Sequence, residues 1–367
     1  MTLEPITVPS GVPGASVVMT VYNDFRFLDA AVDSVLGQEF RDLELIIVDD
    51  GTGEDARFDA LARRDPRIRI VVNPTNIGTA AAANRGIDIA RGDIIVRLDA
   101  DDIAEPTRVG RLVAALAEDS GLGLVGSAVT LIDEADQVLR VQPMPETDLE
   151  IRWTILFHNP FYHSAVAFRR SGFEAAGRYI ATELVSQDHY LWFHMLSLCR
   201  ARNLAEPLTR YRENPRGLTA THLTKNPRSR THKIREESWR RLGLTYDLYD
   251  DVVARSVSQF LRGSDISPER RAAAYRPILT VLRAFMLSHG AGATAGEAEA
   301  LRRLGRGIVA RILASPPDDL QEMLTICRLC GAIDRRAAIA AASGRLGHAF
   351  RMKWRSATTL LARSRID

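Results

Sequence analysis

Two acidic runs stand where apolar runs end: Val48-Asp49-Asp50-Gly51-Thr52 and Arg97-Leu98-Asp99-Ala100-Asp101-Asp102. Five carboxylates on one rim repel one another unless positive charge sits among them. A divalent cation with oxygen ligands meets that need, and Mg²⁺ typically takes one or two carboxylates beside substrate phosphates. Asp49 alone reads as a helix cap or a solvated turn, whereas Asp99-X-Asp101 reads as part of an ion site. Other chemistries lack their residues. No Gly-X-Gly-X-X-Gly or Walker pattern follows the first apolar run, where Val21-Tyr22-Asn23-Asp24 stands instead. No Gly-X-Ser-X-Gly elbow appears. Cys327-Arg-Leu-Cys330 has no second pair to complete a zinc site, so with Cys199 these read as small core residues.

The elements that must carry the acids follow from periodicity. Ala15–Val21, Leu43–Val48, Ile68–Val72 and Ile94–Leu98 are continuous Val/Ile-rich runs, the pattern of strands buried on both faces. Helical spacing predicts Phe25–Leu36, Glu54–Arg64 and Thr79–Ala90 between them, the last stopped by Arg91-Gly92. Alternation of this kind predicts an α/β fold with a mostly parallel sheet, open to ligand at the strand carboxyl ends. Then come a helix near Pro106–Glu118, the run Leu122–Ile132, a turn around Asp133–Asp136, a helix near Asp148–Phe157, a strand at Ser164–Phe168 and a helix at His189–Cys199.

At 367 residues the chain is long enough for two domains. The net charge of +2 conceals a split. Residues 1–224 hold 22 arginines, no lysine and 32 acids; residues 225–367 hold 26 basic and 14 acidic residues. The expected organisation is a leader over 1–14, a catalytic domain over 15–224 and a basic helical domain over 225–367. In that last part Thr231–Leu242, Leu248–Leu261, Pro268–Ser288, Gly296–Ala314 and Pro317–Cys330 show helical periodicity. No apolar run reaches the ~20 residues of a membrane-crossing helix. Met1-Thr2-Leu3-Glu4-Pro5 is unlike a secretory signal, and three cysteines suit a reducing compartment, so a cytoplasmic protein is expected.

The ordered set Val21-Tyr22-Asn23, Val48-Asp49-Asp50-Gly51-Thr52, Asn76-Ile77-Gly78 through Asn84-Arg85-Gly86, and Leu98-Asp99-Ala100-Asp101-Asp102 resembles the family 2 glycosyltransferases, over about residues 15–215. The resemblance implies the glycosyltransferase A fold and a nucleotide-sugar donor, most simply a UDP-sugar. It implies that Asp50 accepts hydrogen bonds from uracil, with Tyr22, Asn23 and the adjoining backbone lining the base pocket. Asp99 and Asp101 match the family's Asp-X-Asp acids; one contacts ribose or water, and Asp101 or Asp102 holds Mn²⁺ or Mg²⁺ at the diphosphate. Asp188 aligns with the base of inverting transfer, while the acid before it in the family is Gln187 here. An N-cap role for Asp188 is compatible with this.

Other segments carry two readings each. Asn76-X-Gly78 either approaches the nucleotide or lets Gly78 take a positive φ before a helix. In Asn159-Pro160-Phe161-Tyr162-His163-Ser164, similar to the family's acceptor loop, His163 either meets acceptor or phosphate or is a buried, hydrogen-bonded imidazole. Tyr211-Arg212 through Thr219 is similar to a Tyr-Arg-X-His element that closes over diphosphate, with Asn214 in the His position; Arg212 or Arg216 would neutralise phosphate there. Arg97 and Arg108 read as structural partners of the acids.

The predicted activity is metal-dependent, inverting sugar transfer to a glycan or lipid-linked acceptor in surface polysaccharide synthesis. The alternatives are a non-catalytic nucleotide-sugar binding or assembly module and a sugar-1-phosphate nucleotidyltransferase, the latter lacking its Gly-rich loop. For the basic half, Lys225-Asn226-Pro227-Arg228 and Arg351-Met352-Lys353-Trp354-Arg355 suit an anionic membrane surface, each basic residue contributing ~1 kcal/mol. The alternative is a bundle that packs on the acidic domain or forms a homo-oligomer. Nucleic acid is not expected, since the charge is spread over several helices with few aromatics.

Overall fold

The structure is a computed structural model that describes residues 11–181, 186–214, 231–244 and 267–314, with isolated positions between 256 and 333. It divides into two compact units, 1–234 and 235–367.

The first unit is built on β1 (Ala15–Val21), β2 (Leu43–Asp49), β3 (Ile68–Val72) and β4 (Ile94–Arg97), all parallel and ordered β3-β2-β1-β4. The helices between them are α1 (Leu28–Leu36), α2 (Asp55–Ala62) and α3 (Thr79–Ile89). After β4 come β5 (Ile103–Ala104), α4 (Arg108–Glu118), β6 (Leu122–Ile132), β7 (Val138–Gln142), α5 (Asp148–Thr154), a one-turn 3₁₀ helix (His163–Ala165), β8 (Ala167–Arg169), α6 (Arg170–Ala175), α7 (Gln187–Met195) and β9 (Arg200–Arg212). The sheet continues as β4-β8-β6-β9-β5, with β7 on β6; β8 lies antiparallel to β4, and β9 parallel to β6. This is the mostly parallel α/β sheet expected for the glycosyltransferase A fold.

Burial on both faces explains the continuous apolar strands. Val17, Met19, Leu45 and Ile47 pack with α1, α2 and α4, whereas Val18, Ile46 and Val48 pack with α3 and, through the same core, α6 and α7. Alternate residues of one strand thus feed two cores. Gly86 lets α3 approach the sheet: a Cβ there would lie 2.7 Å from Val18 and 2.8 Å from Val48.

The differences from the sequence expectations have local causes. The strand expected at Ser164–Phe168 begins only at Ala167, because His163–Ala165 turn as a 3₁₀ helix. The helix expected from His189 begins at Gln187 after Ser186, which adopts a left-handed conformation. Asp188 is therefore inside the first turn, and the N-cap position belongs to Ser186. Strand β9, 13 residues long, matches no expected element, and its register shifts against β6 near Ser127–Val129. Its arginines and Pro207 disguise it.

In the second unit the described helices are α8 (Thr231–Arg241, which begins in the first), α9 (Pro268–Gly290) and α10 (Ala295–Leu313). Ser267 caps α9, and Thr294 with Glu297 forms a capping box at α10. The expected helices 248–261 and 317–330, residues 1–10 and Arg216 lie wholly or mostly outside the described residues. Among the described residues no helix is long and apolar enough to cross a membrane.

Candidate active site

Parallel pairing puts the ends of β1 and β2 side by side, with Val21 opposite Asp49. Asp49 is buried, and its Oδ1 accepts the Thr52 N–H at 2.9 Å. Asp50 is nearly covered as well. Its Oδ1 accepts from Asn73 Nδ2 (2.9 Å) and the Ile77 N–H (3.0 Å), and its Oδ2 from the Gly78 N–H (3.0 Å). Asp50 therefore fastens the 76–78 loop to the end of β2. The crossing is tight: at Gly51, with φ +81°, a Cβ would meet the Thr75 carbonyl carbon at 2.3 Å. Gly78 takes the positive φ of +89° that one sequence reading gave it. Tyr22 is 51% exposed, Asn23 has φ +57°, and Asn76 is exposed. Asn73, which bonds both Asp50 and Arg85, was missed in the sequence; its one signal is its place directly after β3.

The second acidic group sits differently. Asp99 N–H donates to Ser164 Oγ at 2.8 Å, and Asp102 N–H to the Asp99 carbonyl at 3.2 Å, closing a turn. Beneath it lie two buried arginines. Arg97 donates to the Val18 carbonyl (2.6 Å) and to Asp99 Oδ1 (3.2 Å). Arg108 donates to the carbonyls of Arg97 and Ser164. Both read in the sequence as structural partners, and Arg97 pairs with Asp99. The acids are still not balanced. Burial pushes the Asp99 carboxyl up, against the pull of Arg97 and Arg108. Its side chain is nonetheless 32% accessible, so it is sunk among protein atoms yet open on one side. Burial and then the charge of Asp99 push Asp101 up. Asp102 is raised furthest, by burial and then by Asp101 and Asp99. Asp102 Oδ1 accepts the Arg212 N–H at 2.7 Å, and the Ser164 side chain and that N–H pull the carboxyl back down, while no described group meets hydrogen-bond geometry at its buried Oδ2.

This is the environment a dication would relieve, so Asp101 and Asp102 fit a metal. Among the described residues no three Asp, Glu, His or Cys side chains could hold an ion by themselves, so further oxygens would have to come from substrate or water.

Arg212, expected near the diphosphate, packs against the acidic turn. Its side chain is 1% exposed: Nε donates to the Asp101 carbonyl (2.8 Å), Nη1 to the Asp133 carbonyl (2.7 Å), and Nη2 pairs with Asp136 (2.6 Å). The guanidinium also lies 3.9 Å over the Phe27 ring. These contacts brace the backbone of the acidic turn. Asn214 donates to Asp101 Oδ2 at 3.2 Å and also bonds Asp24.

His163 lies beside these acids as a hydrogen-bonded imidazole, its side chain 14% accessible. Arg97 Nε donates to His163 Nε2 at 3.3 Å, and the Tyr179 hydroxyl lies 2.8 Å from the same nitrogen. A guanidinium N–H can only donate, so Nε2 is the acceptor and the ring proton sits on Nδ1, 3.8 Å from Asp99 Oδ1. Burial, and then Arg97, pull the imidazole down to about 3, so it is neutral at physiological pH. Burial pushes the Tyr179 phenol far up. Neither Tyr179 nor Ser164 has a sequence signal, because their partners are distant in the chain.

Asp188 is half-buried in α7, close enough for its charge to act on both His163 and Tyr179. Its Oδ2 accepts from Asn159 Nδ2 at 2.6 Å. Gln187, expected near the acceptor, is buried with its Oε1 unpartnered. The structure thus brings Asp99, Asp101, Asp102, His163 and Asp188 into one chain of neighbours, while Asp50 and Tyr22 belong to the adjoining strand ends.

Residues 16–177 match the sequence model of Glycosyl transferase family 2. The EpsE protein of Bacillus subtilis (strain 168) is 32% identical over 211 residues, covering 55% of this chain and 74% of that protein. An uncharacterized glycosyltransferase of Haemophilus influenzae is 25% identical over 211 residues, covering 54% of this chain and 65% of its own length, just under two thirds. The amylovoran biosynthesis glycosyltransferase AmsE of Erwinia amylovora is 27% identical over 187 residues, covering 50% and 70%. The acid-bearing strand ends fall within residues 16–177, and this chain belongs to glycosyl transferase family 2.

Proposed function

We propose that this chain transfers a sugar, with inversion, from a UDP-sugar to a hydroxyl of a glycan or lipid-linked acceptor in surface polysaccharide synthesis. The observation that carries the reading is the unbalanced acidic turn Asp99–Asp102, with the Asp188 carboxylate held beyond His163. Asp101 and Asp102 would hold Mn²⁺ or Mg²⁺, which stabilises the charge developing on the departing diphosphate. Asp50 Oδ2 accepts once and so retains an acceptor site for a uracil N–H. Tyr22, Asn23 and Asn76 offer the exposed surface around it. Asp99 receives ribose or ordered water. Asp188 takes the proton from the acceptor hydroxyl on the far face of the sugar. Gln187 supports the acceptor side through α7.

Removal of a general base typically costs ~10²–10⁴ in rate. Asp188→Asn should lower UDP release from the preferred donor by that factor and leave UDP affinity unchanged. Near-normal turnover would remove Asp188 from the mechanism. Tight UDP binding by the wild-type chain without any release would favour the binding-module alternative. A thermal-shift panel of UDP-, GDP- and dTDP-sugars with Mn²⁺ identifies the donor.

The basic second unit is proposed to lie against anionic lipid at the inner face of the membrane. The supporting fact is the charge of residues 235–367, 22 basic against 14 acidic. Flotation with anionic liposomes at low salt tests it; a protein that stays in the soluble fraction contradicts it.

A further inference from the structure

Asn159 follows α5 and faces two partners at once. Its Oδ1 accepts the Phe161 N–H at 3.2 Å, and its Nδ2 donates to Asp188 Oδ2 at 2.6 Å. A main-chain N–H can only donate and a carboxylate oxygen accepts, so a flipped amide would lose both bonds. Its orientation is therefore fixed by the loop itself. Among the described residues, the charge of Asp188 also acts on His163 of the 3₁₀ helix and on Tyr179 in the turn after α6, neither of which carries positive charge. Within α7, Asp188 follows Gln187 and precedes the buried His189, whose Nε2 lies 3.2 Å from the Ile155 carbonyl. Among the described residues, the side-chain hydrogen bond that Asp188 receives comes from Asn159. Four residues further along the same loop, His163 approaches Asp99. One short loop therefore touches both the acidic turn and the carboxylate of α7.

We propose that Asn159 is a positioning residue for transfer, holding Oδ2 of Asp188 so that Oδ1 is turned to the acceptor hydroxyl. The inference rests on Asp188 as the base. It adds that the base is aimed by a neutral amide whose own orientation the Phe161 N–H sets. A carboxylate with one oxygen tied has a defined free oxygen, and reacting groups tolerate little misplacement.

The experiment uses the full chain with Mn²⁺ and reads UDP release from UDP-glucose, UDP-galactose and UDP-N-acetylglucosamine, with p-nitrophenyl glycosides as acceptors. Asn159→Asp keeps the shape and the bond from Phe161 but turns an oxygen toward Asp188. Asn159→Ala removes the contact without adding charge. Both variants should lower kcat on the order of 10- to 100-fold, as for other outer partners that orient a reacting group. KM for the donor should stay within about twofold, since ground-state binding is untouched. In an Asp188→Asn background, Asn159→Asp should cause no further loss, because the two act as a unit. Wild-type rates in both Asn159 variants would overturn the inference. So would an undiminished loss in the Asp188→Asn background, which marks a packing role. Failure of the base reading is separate and visible: Asp188→Asn alone would then turn over at the wild-type rate.

Discussion

Two strand ends carry adjacent acids, and they differ in how many donors reach them. At the end of β2, Asp49 and Asp50 receive four donors, from Thr52, Asn73, Ile77 and Gly78. At the turn after β4, burial pushes up Asp99, Asp101 and Asp102, and the charge of Asp99 adds to Asp101 and, with Asp101, to Asp102; a buried Oδ2 without a hydrogen-bond partner occurs in both groups, on Asp49 and on Asp102. The sequence pattern is the same, an apolar run delivering carboxylates. The difference lies in what arrives from elsewhere in the chain. The 76–78 loop brings N–H groups to β2, whereas β9 brings Arg212 to the 98–102 turn mainly to hold carbonyls. The first pair holds a loop in place; the second group is a cluster of carboxyls whose ionised form a cation would favour.

Breaking the second group should have the largest effect on activity. Asp102→Asn should reduce metal-supported UDP release by on the order of 10²–10³, several kcal/mol of charge stabilisation. The same variant should not lower the metal-free unfolding midpoint, because a repelling charge has been removed. Steady-state turnover and thermal unfolding without metal check the two halves of this statement.

Breaking the first pair should reverse that balance. Asp50→Ala strands the Asn73 amide and the Ile77 and Gly78 N–H groups, and an unsatisfied buried donor costs about 1–3 kcal/mol. A loss of ~2–3 kcal/mol is expected from denaturant unfolding, together with weaker UDP binding. An unchanged midpoint would mean that the three bonds do not hold the loop.

A smaller effect sharpens the contrast through pH. The acids of the β4 turn bind protons more tightly in the folded chain than at the reference value of 3.8. Their contribution to stability is thus complete below that value and is lost as pH rises through the raised values. His163 acts in the opposite sense. Its folded value of about 3 lies below 6.5, so its contribution grows as pH rises across that window. The difference between wild type and Asp102→Asn isolates the acids. Without metal, wild-type stability should fall relative to the variant as pH rises above about 4. Mn²⁺ with UDP should abolish that slope.

What was legible in the sequence follows the same physics. β1, β2 and β4 stand out because both faces are buried and their few polar residues, such as Ser16 and Glu44, are buried with them, whereas β3 is an edge strand partly exposed after Ile68. The acids stand out because they end those runs. β9 does not: Arg200, Arg202 and Glu206 are exposed along it, and a register shift breaks its alternation. The role of Arg212 was unreadable for a related reason. An arginine in a loop near phosphate and an arginine bracing carbonyls have identical local sequence, and only the fold puts Asp101 and Asp133 beside it. The tautomer of His163 likewise depends on Arg97 and Tyr179, residues no spacing connects to it. Position after a strand is local information; hydrogen-bond partners are not.

The central claim is that the β4 turn keeps its charge for a cation brought together with nucleotide. Titration of Mn²⁺ by electron paramagnetic resonance, with and without UDP, tests it in the wild type and in Asp101→Asn/Asp102→Asn. The account predicts weak Mn²⁺ binding alone, tight binding with UDP, and loss of the UDP-dependent increment in the double variant. An increment of equal size in the double variant would contradict it.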